Sequence, residues 1–300
     1  MEATSKRKHK TKGDLSVDVL ASVIGILFAL ACLIPFLYVI GVSFTKESSI
    51  ADYGIRIIPK AFSTVAYESL FKGSQIWKSY GVTIFVTVVG TFLSLVFSAM
   101  MAYPLSTGRL KLGGKINFFV YFTMLFGGGL VPTYLLISQY LRMTNTIWVL
   151  IIPSLISPWN MFLLRNFFSS IPDSLSESAR IDGASEMTIL FKVILPVAKP
   201  ALATIGLFYA LGYWNAWFNA LLYISDSNLY PLQFLIMRIS KEIEAIKEAA
   251  KQGVNIATND LPDLTLRMAT AIVTIGPVVV FYPFVQKYFT SGLMVGSVKG

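Results

Sequence analysis

Long apolar runs alternate with short polar connectors along this chain, and the runs outlast the core helices of a soluble domain. A hydrocarbon layer about 30 Å thick takes roughly 20 residues of helix. Six runs reach that length with few charges: 19–42, 80–105, 116–137, 147–168, 201–224 and 266–285. They predict an all-α, polytopic membrane protein of six transmembrane helices. Prolines lie inside or beside the runs at Pro35, Pro104, Pro132, Pro153, Pro158, Pro277 and Pro283. In a bundle, neighbouring groups satisfy the carbonyls that a proline frees, so kinked and closely packed spans are expected. The first run exceeds the about 7–15 residues of a signal-peptide core and lacks a convincing A-x-A cleavage site, which makes it a retained span.

The connectors set the organisation. A basic tail covers 1–18, a six-span domain 19–290 and a second tail 291–300; a loop at 169–198 faces the same side as both tails. Basic residues in short loops mark the cytoplasmic side. With the amino terminus inside, 14 of the 25 Lys and Arg residues are cytoplasmic, including the dense clusters at 6–12 and 109–115. Both termini are therefore expected in the cytoplasm. Two long segments, 44–79 and 225–265, then lie outside. The second holds 241–252, a run of strong helix formers with Gly253 placed to end it. It reads as a solvated surface helix or a docking surface for an extracellular partner.

Composition narrows the class. At 55% hydrophobic and 14% charged residues the chain is more apolar than a soluble domain at about 45–50%. The net charge of +9 comes without a compact basic domain, so it speaks for membrane orientation and against nucleic acid. Cys32 is the single cysteine, inside an apolar run, and reads as a small packing residue. His9 is the single histidine. No His-based metal cluster or Ser-His or Cys-His pair can be built, so no catalytic and no metal-ligating residues are expected.

The loop before the fifth run is unusual. Ser174 and Glu177 have the spacing of a capping box, Gly183 can take the positive φ that ends a helix, and Ser185 can cap a second one. In that second helix Met187, Leu190, Phe191 and Ile194 recur at i, i+3, i+4 and i+7, an apolar stripe outside the lipid that calls for a partner.

At these residues the chain resembles the coupling loop of ABC importer permeases, the EAA loop, which runs from E-A-A through D-G-A to a late L-P and a final proline. Here it stands as Glu177-Ser178-Ala179, Asp182-Gly183-Ala184, Phe191, Ile194, Leu195-Pro196 and Pro200. Only Ser178 departs, standing where the family has alanine. The resemblance extends over nearly the whole chain and is strongest to the six-span, maltose-type carbohydrate permeases. It implies the type I importer permease fold in a bacterial inner or plasma membrane, with both termini cytoplasmic. It also implies translocation of a carbohydrate, an oligosaccharide, by alternating access. The implied partners are a second homologous permease, an ATP-binding cassette ATPase dimer and an extracellular or periplasmic sugar-binding protein. ATP and Mg²⁺ belong to the ATPase, and this chain carries no cofactor. The implied coupling residues are Glu177, Ser178, Ala179, Asp182, Gly183, Ala184, Met187, Leu190, Phe191, Ile194 and Pro196. The end of the chain, with Gly296, Ser297 and Lys299, resembles a tail that reaches towards the ATPase dimer. The stretch 126–136 resembles a subgroup linked to complex oligosaccharides.

Other candidates were weighed on their chemistry. A phosphate-binding loop needs G-x(4)-G-K-[ST]; the nearest string, 108–115, has the wrong glycine spacing and continues into Ile116. The triple glycine 127–129 is read as close helix packing or local unwinding in preference to a ligand cradle. In the fifth run, Trp214 and Trp217 can stack on sugar rings while Asn215 and Asn219, one helical turn apart, bind hydroxyls. The competing reading of these four is interhelical bonding and an interface belt. Import of peptides or amino acids by the same machinery, and a secondary transporter, stand as alternatives. The latter predicts internal repeats, and none is visible.

Overall fold

The computed structural model describes residues 12–252 and 264–293, and every regular element among them is helical. In chain order these are α1 (Lys12–Ser43), α2 (Glu47–Tyr53), α3 (Val65–Phe71), α4 (Gln75–Ser106), α5 (Gly113–Leu125) and α6 (Leu130–Leu135), which runs on as a π-helical turn over Leu136–Tyr140. Two 3₁₀ turns, Ile147–Leu150 and Ile152–Ser154, precede α7 (Pro158–Phe168) and α8 (Asp173–Ile181). Then come α9 (Glu186–Ile189), a π-helical turn at Leu190–Ile194, α10 (Leu195–Val197), α11 (Lys199–Trp214), α12 (Phe218–Tyr223), α13 (Leu232–Lys251) and α14 (Leu264–Leu293).

Helices occupy all six expected apolar runs, but only three are continuous. α1 and α4 are unbroken 32-residue helices despite Pro35 and Pro104, and α14 runs without a break through the sixth. The side chains of α1 from Val17 to Ile40 are almost all exposed, as contact with lipid requires.

The third run is two helices bent by 109°. Gly129 takes φ 87° and nothing lies within 4 Å of where a Cβ would stand on Gly127 or Gly128. The triple glycine therefore unwinds the chain, as one of the two readings had it, and nothing among the described residues packs against Gly127 or Gly128. The fourth run bends by 52°, because Pro158 opens α7 and cannot donate a helical hydrogen bond. The fifth stops at Trp214 and restarts at Phe218.

Outside these runs the helix expected over 241–252 begins nine residues earlier, at Leu232. Its leading turn carries Leu232, Phe234 and Leu235 into the interior. Gly253, the expected helix stop, lies outside the described residues, as do His9 and the tail residues Gly296, Ser297 and Lys299.

The chain divides into two compact units. In the first, residues 1–70 with 246–273, Phe44 stacks between Phe62 and Tyr67 at 5.5 and 4.8 Å. Gly41 lies where a Cβ would overlap the carbonyl of Ile57. The Glu47 carboxylate accepts from the Leu264 and Thr265 amides at 3.1 and 3.0 Å and from the Thr265 hydroxyl at 2.7 Å. It thus satisfies two of the backbone donors at the start of α14. Cys32 is exposed on α1, so the packing role expected of it is not seen here.

In the second unit, residues 71–245 with 274–300, α4, α7 and α11 pack together. Small and apolar residues fill the contact, including Ala99, Ala102, Met161, Leu164 and Ala201, and this core extends into the loop through Ile189, Leu190 and Ile194.

Candidate coupling loop and translocation path

The loop between the fourth and fifth runs folds around one reversal. The amide of Gly183 donates to the Arg180 carbonyl at 3.0 Å, and the amide of Ala184 donates to the Ala179 carbonyl at 2.9 Å. Gly183 holds φ 81°. These two bonds with a left-handed residue form a Schellman stop, which gives Ala179, Asp182-Gly183 and Ala184 a common structural reason. Ser185 then caps α9, accepting from the Thr188 amide at 3.2 Å, as its position predicted.

Two expectations for this loop need correction. The capping box does not form: Pro172 occupies the capping position of α8 and no side chain caps it. Ser174 sits inside the first turn, and Glu177 turns to Arg109 at 3.3 Å. The apolar stripe is also split. Leu190 and Ile194 are buried at 1% and 3% exposure, while Met187 and Phe191 remain exposed at 51% and 41%. The π-helical turn at 190–194 shifts the register, and one side of the segment lies on this chain's own core. Only Met187 and Phe191 of the four are left for another chain. Exposed beside them are Ser178, Asp182 and Pro196, together with Ile181 at 87% exposure, which periodicity did not single out.

A polar network ties the reversal to α4. Arg180 donates from Nε to Glu186 Oε1 at 2.7 Å and from a terminal nitrogen to Oε2 at 3.2 Å, and the Tyr103 hydroxyl donates to Glu186 Oε2 at 2.9 Å. The hydrogen bond from Arg180 holds the Glu186 carboxyl below the ordinary carboxylate range, and the same bond raises Arg180. Sequence reasoning missed this triad, because residues 180 and 186 face each other only after the reversal at Gly183. The ends of α4 and α7 meet beside it: Arg165 Nε donates to the Leu105 carbonyl at 3.0 Å.

The four residues expected to line a path are not on one helical face. Asn215 ends α11 and Asn219 lies in α12, so they are not one turn apart. Asn215 Nδ2 donates to the Leu211 carbonyl at 2.9 Å and its Oδ1 accepts from Gln233 at 3.2 Å. Trp214 is buried, with its indole N–H donated to the Thr274 carbonyl at 3.2 Å. Trp217 is exposed and edge-on to Phe218 at 5.7 Å; Asn219 is half-buried. The sequence signal that would have shown the break is absent, since no glycine or proline falls in 213–219.

No group of three or more His, Cys, Asp or Glu side chains among the described residues is placed to hold a metal ion. What the geometry offers is a loop of two short helices, tied by hydrogen bonds and packing to kinked apolar helices.

That arrangement has a family. Residues 79–295 match the model of the binding-protein-dependent transport system inner membrane component. The chain belongs to this family. It is a membrane permease subunit of an ABC importer, which works with a second permease, an ATPase and a substrate-binding protein. Among its relatives is the polygalacturonan/rhamnogalacturonan transport system permease protein YtcP of Bacillus subtilis (strain 168), 41% identical over 92% of this chain and 95% of that one. Protein LplC of the same organism is 39% identical over 97% and 98%. The permease is also similar to a chain in the crystal structure of a bacterial ABC transporter involved in the import of the acidic polysaccharide alginate. That likeness has a TM-score of 0.80 and 32% identity, over 94% of this chain and 99% of that one. The family match takes in the whole loop at 173–197, and the secondary-transporter alternative falls with it.

Proposed function

We propose that this permease carries an oligosaccharide, released from a larger polysaccharide, into a bacterial cell. The observation that supports this reading is the 41% identity, over 92% of the chain, to a polygalacturonan/rhamnogalacturonan permease. The alginate importer, similar along 94% of the chain, points the same way. Both termini are cytoplasmic, in keeping with the basic clusters and with Arg109 meeting Glu177 of the loop.

ATP and Mg²⁺ bind the partner ATPase, whose closure pulls on the loop. Met187 and Phe191 supply the apolar contact, with Ile181 beside them, and Glu177 and Asp182 supply charge at the rim. The Schellman stop at Gly183 and the Arg180–Glu186–Tyr103 network make the loop one piece with α4, so a pull on α8 and α9 moves the membrane helices. A sugar-binding protein delivers substrate from outside.

The test is uptake by the complete transporter, isolated with its partners and placed in liposomes. Oligosaccharide uptake that needs both ATP and the binding protein is expected. Uptake of peptides in place of saccharides, or saccharide uptake without ATP, contradicts the reading.

A further inference from the structure

The first span ends against its own chain. The side chains of α1 stay almost all exposed up to Ile40, and Gly41 lies about 33 Å beyond Val19 at about 1.5 Å per residue. That is the far edge of a hydrocarbon layer of about 30 Å. At this level the chain returns: the carbonyls of Arg56 and Ile57 close on Gly41, where a Cβ would overlap them. Just beyond, the Lys46 amide donates to the Ala61 carbonyl at 3.0 Å, and the Ser63 amide donates to the Phe44 carbonyl at 2.8 Å. The segment 53–62 is therefore held across the end of the span, at the depth where hydrocarbon gives way to headgroups.

The surface of this segment does not suit water. Ile58 is 80% exposed and Phe62 71%, and Tyr53 and Ile55 are exposed as well. So much open apolar surface calls for a cover, and the charges point to which one. Arg56 and Lys60 alternate with these residues, both exposed, and neither pairs with a carboxylate among the described residues. No acid occurs between 53 and 67. Apolar and aromatic side chains interleaved with bases match the boundary of a bilayer, where the former enter the acyl region and the latter reach the phosphates. The backbone turns at Gly54 with φ 70° and is irregular beyond it. Such backbone is excluded from the hydrocarbon core but not from the hydrated headgroup layer. A soluble partner arriving from the water meets surfaces beyond the headgroups, whereas this segment stands level with them.

We propose that 53–62 is a membrane anchor: Ile55, Ile58 and Phe62 enter the leaflet in which α1 ends, and Arg56 and Lys60 bind the phosphates of anionic phospholipids. That leaflet is the outer one in the orientation proposed above, and the anchor does not depend on the orientation. It fixes the depth of α1, because Gly41 cannot slide along the membrane normal without carrying 56–57 with it. It also makes part of the segment 44–79 a lipid contact, although that segment lies outside the six apolar runs.

For the test, Ile58→Cys in a Cys32→Ala background is labelled with bimane, and the assembled transporter is placed in vesicles of phosphatidylcholine and phosphatidylglycerol without its binding protein. Lys241→Cys, exposed on α13, is the aqueous control. A nitroxide carried on the lipid chain near the headgroup should quench the label at 58 at least about threefold more than the label at 241, and iodide in the water should quench it less. Replacing phosphatidylglycerol with phosphatidylcholine should weaken the lipid quenching at 58, and Arg56→Gln with Lys60→Gln should abolish that difference. Ile55→Cys carries the same reading if Ile58→Cys does not assemble. Equal lipid quenching at 58 and 241 overturns the anchor. So does a label at 58 that neither quencher reaches, which puts the second permease over the segment. Loss of lipid quenching when the binding protein is added overturns it too, because the segment is then a docking surface. Lipid quenching at 58 that is the same in both kinds of vesicle overturns the binding of phosphates by Arg56 and Lys60.

Discussion

Two interruptions of the helical backbone stand within one unit of this molecule, and they are held in opposite ways. At Gly183 the reversal between α8 and α9 closes on its own neighbours, through amides of 183 and 184 bonded to carbonyls three and five residues back. At 155–157 the kink before α7 is held from a distance: the Ser157 amide and the Ile151 carbonyl find their partners on Tyr209 and Tyr213 of α11. A locally closed break moves as a rigid unit, as a lever must. A remotely held break depends on where α11 stands, so any shift of α11 reaches the kink. The loop and the kink are thereby joined through α11, which follows the loop after a bend of 88°.

The largest effect expected of breaking this contrast is at Gly183. Nothing lies within 4 Å of where its Cβ would be, so the cost of substitution is purely the positive φ, about 1–2 kcal/mol for an ordinary residue. Gly183→Val should reduce transport and substrate-stimulated ATP hydrolysis at least about tenfold while the protein still inserts. Gly183→Asn, which tolerates the left-handed conformation, should keep most of both. Equal activity of the Val and Asn variants, measured in reconstituted transporters, contradicts the local account of this break.

Gly90 tests the remote side. A Cβ there would stand 2.8 Å from the Tyr213 ring, and the ring cannot withdraw without loosening its bonds to Ser94 and Ile151. Gly90→Ala is expected to destabilise by about 1–3 kcal/mol, the usual cost of overpacking. Thermal unfolding of the detergent-solubilised complex measures it. Tyr209→Phe leaves the Ser157 amide without its acceptor and should cost a similar or smaller amount, about 1–3 kcal/mol, by the same measurement.

How much of this was legible in the sequence follows the same division. The helix stop at Gly183 and the cap at Ser185 were read correctly, because glycine and serine act through bonds to residues nearby. Helices fall on all six apolar runs for the same reason: hydropathy is a local sum. The capping box at Ser174 failed because Pro172 took the capping position, and Glu177 found Arg109, 68 residues away. Leu190 and Ile194 turned inward because tertiary packing and a π-helical turn set the register, which a period of 3.6 cannot foresee. The break at 215–217 carries no proline or glycine, and the partners of Trp214 and Asn215 lie 60 and 18 residues on.

Smaller effects sharpen the picture of the loop. Above pH 4.5, the ordinary value for Glu186, the Arg180–Glu186 bond contributes its full share of stability. That share is lost as the pH falls through the lower value the carboxyl has in the folded protein. The stability gap between wild type and Glu186→Gln should therefore be present at neutral pH and close only under acid below 4.5. A gap that closes while the pH is still above 4.5, in unfolding of the complex against pH, contradicts the assignment. Smallest of all is Arg109→Ala. Its pair with Glu177 is exposed on both sides and is worth about 0–1 kcal/mol, so stability should barely change.

The central claim is that the exposed side of this loop touches the ATPase, and site-directed cross-linking tests it most directly. With Cys32→Ala as background, Met187→Cys and Phe191→Cys are treated with a short bifunctional thiol reagent in the assembled transporter, with Leu190→Cys as the buried control. The account predicts cross-links to the ATPase from 187 and 191, none from 190, and a change in their yield when ATP is added. An equally strong cross-link from 190, or none from 187 and 191 in a transporter that still couples ATP to uptake, would contradict it.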